Sequence, residues 1–102
     1  MKVFLSELAE SKLLQLNDYL IEHWGIKARD QFFQKFDEKV LQIATQPNSC
    51  PQSNEIEGLY KCVITKQSTC YYRILLETNE IEIITLFDTR QHPDNLKTDL
   101  KS

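Results

Sequence analysis

Three side chains that can handle a phosphate ester follow the last apolar segment of the chain. The segment TLFDTRQHPDNL, residues 85 to 96, places Asp88, Arg90 and His92 at alternate positions before Pro93. A guanidinium binds phosphate oxygens through two parallel hydrogen bonds, and an imidazole with a pKa near neutrality can transfer a proton. The residues alone equally allow a structural role, in which Asp88 orients Arg90 and His92 caps the end of the sheet.

Two further cations belong to the same candidate site. Arg73 lies in the middle of the segment TCYYRILLE, and Lys61 lies near the start of LYKCVIT. If these segments are neighbouring strands, side-chain alternation puts both cations on one face of the sheet. Arg73, Arg90 and His92 are then candidate catalytic residues of a nuclease, and Lys61 is a candidate binding residue. In the structural alternative, Arg73 pairs with Glu82 across a hairpin, as surface arginines beside acids commonly do.

The composition is that of a folded protein of modest size. The chain has 102 residues, 41% of them apolar and 26% charged, so we expect one domain over residues 1 to 102. Its apolar runs are far shorter than the roughly 20 residues that span a bilayer, and its N-terminus reaches acidic residues too soon for a secretory signal. No membrane partner is therefore expected.

The three cysteines form no CxxC pair. This pattern favours reduced thiols in a cytoplasmic protein over a disulfide framework or a zinc site. The sequence also contains no glycine-rich phosphate loop, no metal-ligand spacing and no serine triad. We therefore expect no metal and no other cofactor.

The charge distribution argues against a broad nucleic-acid-binding surface. The net charge is −3 and the pI is about 5.3, whereas a domain that binds nucleic acid is usually basic. Residues 1 to 57 hold six Lys and Arg against nine Asp and Glu, and residues 58 to 102 hold six of each. The acidic excess lies in the first half, so only a local basic site is expected in the second.

Two helices are predicted in the first half of the chain. Ser6 is a good N-cap after the short strand KVFL, and apolar residues then recur every three or four positions up to Trp24. Gly25 is placed to end this helix, and a second apolar stripe runs from about Ala28 to Thr45. Because the connection is short, the two helices should pack as an antiparallel hairpin.

Three strands are predicted after a polar loop at residues 45 to 57. The segments LYKCVIT, TCYYRILLE and IEIITLF are rich in β-branched and aromatic residues, and only KQS and TNE separate them. Such short separators suit an antiparallel meander. The predicted fold class is α+β in the order β-α-α-β-β-β, with the helical hairpin on one face of a small antiparallel sheet. The opposite face carries Arg73 and stays partly bare, and Leu96 and Leu100 predict a short helix after the sheet.

The order of elements and several short segments resemble one family of toxins. GLYK at the start of the second strand, YYRILLE in the third, and the closing FDTRQHPDNL are similar to segments of the RelE/ParE superfamily. Its members are the toxin halves of bacterial type II toxin–antitoxin modules, and many were described as plasmid-stabilisation proteins. The likeness covers nearly the whole chain. It implies the RelE/ParE-like fold, growth inhibition, and a cognate antitoxin as partner.

The superfamily divides by cellular target, and the resemblance implies a different role for the cations in each branch. RelE-like members cleave messenger RNA on the ribosome without a metal, and in that branch Arg73, Arg90 and His92 would be catalytic. ParE-like members poison DNA gyrase and lack a full nuclease set. Pro93 stands where the nuclease pattern has tyrosine, and the acidic pI is unlike that of a ribosome-binding nuclease. The resemblance therefore favours a ParE-like toxin that acts on DNA gyrase.

Two alternatives stay open at this point. One is a RelE-like, ribosome-dependent endonuclease of messenger RNA, and the other is a degenerate member that binds an antitoxin without toxicity. In each case the fold implies where the antitoxin binds. An exposed strand edge can accept an added strand, and the groove where helices and sheet meet can accept an amphipathic helix.

Overall fold

A four-stranded sheet carries two long helices on one face and a short helix on the other. The computed structural model describes residues 1 to 101, except for the side chains of Pro93 and Lys101. The elements are β1 (Lys2–Leu5), α1 (Glu7–Trp24), α2 (Ile26–Thr45), β2 (Tyr60–Thr65), β3 (Ser68–Leu75), β4 (Glu80–Asp88) and α3 (Pro93–Lys101). The α+β fold class and the order of elements predicted from the sequence are confirmed, and the predicted short last helix is α3.

The ends of α1 are fixed by the two residues that the sequence indicates. Ser6 Oγ accepts a hydrogen bond from the Ala9 N–H at 3.0 Å and donates one to the Ile84 carbonyl at 2.7 Å. The N-cap therefore also ties α1 to β4. At the other end Gly25 has a φ of 93°, which a residue with a side chain rarely adopts. Its carbonyl accepts from the Arg29 N–H at 3.3 Å, so α2 begins directly after Gly25, earlier than predicted.

The strand order is β1-β4-β3-β2, with β4 in the interior of the sheet. β2, β3 and β4 form the predicted antiparallel meander, whereas β1 pairs with β4 in parallel. The sequence pattern predicts an antiparallel sheet throughout. The parallel pair is possible because a long connection containing both helices separates β1 from β4.

Each face of the sheet has its own apolar cluster. On the hairpin side, Ile81, Ile83 and Tyr72 are fully buried and pack with Phe32 and Phe36 of α2. Within the described residues, no helix has the length and apolar character needed to cross a membrane.

On the opposite face, Tyr71 and Phe87 pack against Leu96 of α3. The face expected to stay partly bare is thus covered where β4 ends. It stays exposed around Arg73, which lies further along β3.

Candidate functional site

Arg73 is engaged with a carboxylate on the neighbouring strand. Arg73 and Glu82 are register partners across β3 and β4. Nε and Nη2 of Arg73 each lie 2.7 Å from Oε1 of Glu82. The arginine side chain is about half exposed, so water screens this pair and its contribution to stability is small. This contact is the one expected in the structural alternative.

Lys61 lies on the same face as Arg73, as strand alternation predicts. It is the register partner of Tyr71 on β3, which makes it a diagonal neighbour of Arg73. Glu55, in the loop before β2, is also close to Lys61. A hydrogen bond from Ser53 is the main cause that lowers the pKa of Glu55, and the charge of Lys61 lowers it further. Lys61 therefore lies near the carboxylate of Glu55, just as Arg73 lies beside that of Glu82.

Arg90 follows β4 and forms a bidentate ion pair with Asp88. Nε of Arg90 lies 3.0 Å from Oδ1 of Asp88, and Nη2 lies 2.7 Å from Oδ2. The hydrogen bonds from Arg90 lower the pKa of the Asp88 carboxyl. His92 is exposed, and its Nδ1 accepts a hydrogen bond from the Asp94 N–H at 3.2 Å. The imidazole thereby caps the first turn of α3.

The register of the sheet separates Arg73 from the other two candidate catalytic residues. Asp88 is the partner of Ser68, and Arg73 lies five positions further along β3, a separation of about 16 Å. Arg73 and Lys61 form one cationic site on β3 and β2. Arg90 and His92 form a second cationic site in the segment after β4. The catalytic assignment of the three residues stays a prediction.

A groove of about 670 Å³ lies between the helical hairpin and the end of β4. Tyr19 and Trp24 of α1, Lys35 of α2, and Phe87 and Arg90 at the end of β4 line it. Trp24 is 70% exposed, although the apolar stripe of the sequence assigns it to the side that faces the core. Sequence reasoning missed these residues as a group because they come from separate elements. The one available signal was a large aromatic residue at a helix end beside glycine.

Comparisons with known proteins decide the family. A family model described as the ParE toxin of the type II toxin–antitoxin system parDE matches residues 3–93. This chain belongs to the ParE toxin family. No curated protein matches the chain, so the family model and the solved structures carry the comparison for this ParE-family chain.

Several solved toxin structures share the fold of this ParE-family chain at low sequence identity. A chain of the chromosomal ParDE system from P. aeruginosa is 17% identical with a TM-score of 0.73, and the match covers 86% of this chain and 95% of that one. The YoeB/ParE toxin from Agrobacterium tumefaciens is 13% identical with a TM-score of 0.62, over 86% and 98% of the two chains. The isolated E. coli RelE toxin is 12% identical with a TM-score of 0.60, over 98% and 96%. At these identities the likeness establishes the RelE/ParE fold.

Proposed function

We propose that this chain is the toxin of a bacterial type II toxin–antitoxin module of the plasmid-stabilisation kind. In this proposal the toxin acts on DNA gyrase in the cytoplasm. A small antitoxin encoded beside it neutralises it. The observation that carries the proposal is the separation of the candidate nuclease residues. Arg73 forms an ion pair with Glu82, and Arg90 forms an ion pair with Asp88 at the end of β4. A metal-independent ribonuclease needs such groups on one phosphate. Membership of the ParE family also supports DNA gyrase as the proposed target.

The groove supports an antitoxin that binds as an amphipathic segment. Trp24 gives the groove exposed apolar surface, and Lys12, Lys35 and Arg90 give it positive charge beside Asp88. Although the first half of the chain is acidic, the side of the hairpin that faces this groove presents lysines. An antitoxin helix with apolar residues on one side and acidic residues beside them complements such a surface.

The outer edge of β2 is a poorer place for an added antitoxin strand. The Lys61 N–H donates to the Pro51 carbonyl at 2.9 Å, and the Ser53 N–H donates to the Leu59 carbonyl at 2.7 Å. The loop before β2 therefore occupies the start of this edge with the protein's own backbone. Edge addition needs unpaired backbone groups, so the groove is the better candidate for the antitoxin.

The gyrase proposal is tested by expressing the toxin from an inducible promoter in bacteria that lack the antitoxin. We expect growth arrest, an induced DNA-damage response and cleaved DNA held on gyrase. Co-expression of the neighbouring antitoxin should restore growth. Primer extension on cellular messages serves as the matched assay for the alternative target.

Cleavage of messages at codon-linked positions without DNA damage would contradict the gyrase proposal and favour the ribosome-dependent endonuclease. Normal growth at a level of expression verified by immunoblot would instead indicate a member that has lost its toxicity. Each outcome therefore selects one of the three functions.

Arg73→Ala is expected to leave toxicity intact and to lower the free energy of unfolding by at most about 1 kcal/mol, because the exposed ion pair with Glu82 stabilises the protein only weakly. Urea unfolding and the growth assay measure the two effects. Glu82→Ala is the matched control, since it removes the same pair from the other side. If a stably folded Arg73→Ala protein loses toxicity, the result would instead favour the ribosome-dependent endonuclease, in which Arg73 is catalytic.

A further inference from the structure

The outward side of α2 carries a row in which apolar and acidic residues alternate. Ile26, Asp30, Phe33, Asp37 and Leu41 follow one another at steps of four, three, four and four, so each lies beside the next on one side of the helix. The row is about 22 Å long, which is roughly four turns. Its members from Asp30 onwards line a shallow depression. We call these five residues the outer seam.

The apolar members of the outer seam reach the solvent. Ile26 is 59% exposed and Leu41 is 68% exposed, and neither contributes to the apolar clusters on the two faces of the sheet. Phe33, between them, is partly buried and packs against the cluster on the hairpin side. Exposed apolar residues that are grouped and surrounded by polar ones mark interaction surfaces, whereas scattered ones do not.

The acidic members add charge that the protein itself compensates only in part. Asp30 forms an ion pair with Arg29 at 2.7 Å. Asp37 has no Lys or Arg three or four positions away in either direction, where a helical ion pair would form. Among the described residues, neither Asp37 nor the adjacent Glu38 forms an ion pair. Unpaired carboxylates therefore lie between exposed apolar side chains.

We propose that the outer seam binds a basic amphipathic helix of a partner protein. Apolar side chains of that helix pack on Ile26, Phe33 and Leu41, and its Lys or Arg residues pair with Asp37 and Glu38. A helix fits because steps of three and four residues on one helix are matched by the same steps on a second helix packed beside it. The cations of the partner complement the unpaired carboxylates and so set its orientation.

The charge of the outer seam selects a protein helix over other occupants. In a two-fold dimer each copy presents the same patch to the other, so a second copy would set Asp30 and Asp37 against the same carboxylates. Like charges that meet across an interface weaken it. Nucleic acid and the anionic surface of a membrane carry negative charge as well. A segment that combines apolar residues with cations is complementary to the seam in both respects.

The outer seam is separate from the groove proposed for the antitoxin. Lys35 of α2 lines that groove, and it lies two positions from both Phe33 and Asp37. It is therefore about 160° around the helix from each of them. The groove presents cations and the outer seam presents carboxylates, so the two surfaces select partners of opposite charge. Binding at the outer seam does not depend on the proposed target of the toxin.

The test uses a synthetic helical peptide of about 18 residues, long enough to cover four turns. Leucine and arginine alternate along one side of it at the steps of the outer seam. When the peptide is titrated into isotope-labelled toxin, the amide signals of the outer seam should shift, and those around the groove at the end of β4 should not. Binding should weaken as salt is added, because salt screens the charges. A peptide with glutamate in place of each arginine is the control and should not bind there.

Asp37→Lys is expected to weaken binding of the arginine peptide at least about tenfold, because repulsion replaces attraction. Glu77→Lys changes the net charge by the same amount in the exposed turn after β3 and should leave binding unchanged. Leu41→Ser should weaken binding by a similar factor, whereas Leu76→Ser removes an exposed leucine outside α2 and should not. Isothermal titration calorimetry measures the affinities. All four positions are exposed, and circular dichroism verifies that each variant is folded.

Equal losses for Asp37→Lys and Glu77→Lys would overturn the proposal, since net charge alone would then hold the peptide. Signals that shift on the open face of the sheet instead of the outer seam would overturn it too, and so would the absence of binding at millimolar peptide. Sedimentation of the protein without peptide tests the second copy. A dimer that Leu41→Ser abolishes would assign the outer seam to self-association and contradict the partner helix.

Discussion

Trp24→Asp is expected to weaken binding of the proposed antitoxin by about 30-fold or more, mainly through faster dissociation. Trp24 is 70% exposed and lines the groove proposed for the antitoxin. A buried tryptophan commonly supplies 2 kcal/mol or more at an interface, roughly a 30-fold effect, and such losses appear in the dissociation rate. Surface plasmon resonance with immobilised toxin measures both rates.

Leu76→Asp is the matched control, because Leu76 is an 84% exposed apolar residue outside the groove lining. It should leave both rates unchanged. Charge reversal at Glu7 and Glu10, in the first turn of α1, should instead alter the association rate and its salt dependence more than dissociation. If Trp24→Asp binds normally while Arg73→Ala releases the antitoxin, the antitoxin covers the opposite face of the sheet and the groove assignment is wrong.

Ile83→Ala is expected to lower the free energy of unfolding by about 2 to 5 kcal/mol, since a cavity replaces a well-packed side chain. Ile83 has an exposed fraction of 0% and lies on β4 in the interior of the sheet. Urea unfolding monitored by circular dichroism measures the change.

Val63→Ala on β2 is the control, because Val63 is an exposed residue of an outer strand. Its unfolding free energy should change by no more than about 0.5 kcal/mol. Equal losses for the two variants would contradict the assignment of Ile83 to the main core. A much larger loss for Ile83→Ala would place the stability of the toxin in the layer between β4 and the helical hairpin.

The sequence by itself determined the features that depend on neighbours along the chain. Ser6 and Gly25 mark the ends of α1 because the cap hydrogen bonds form within one turn of the helix. The alternation in β2 and β3 put Arg73 and Lys61 on one face, because side chains of a strand alternate whatever lies around them. The contact between Arg73 and Glu82 was also foreseeable, since a short connection fixes the register of a hairpin.

Only the tertiary structure decided the contacts between distant segments. The parallel pairing of β1 with β4, the packing of Leu96 on Tyr71 and Phe87, and the groove beside Trp24 each join elements that are far apart in the chain. The burial of Cys50, Cys62 and Cys70 in one core cluster is of the same kind. Residue spacing shows which surfaces of an element are apolar, but several partners can bury each surface. The choice among them is made by the packing of the whole chain, which also sets Arg73 apart from Arg90.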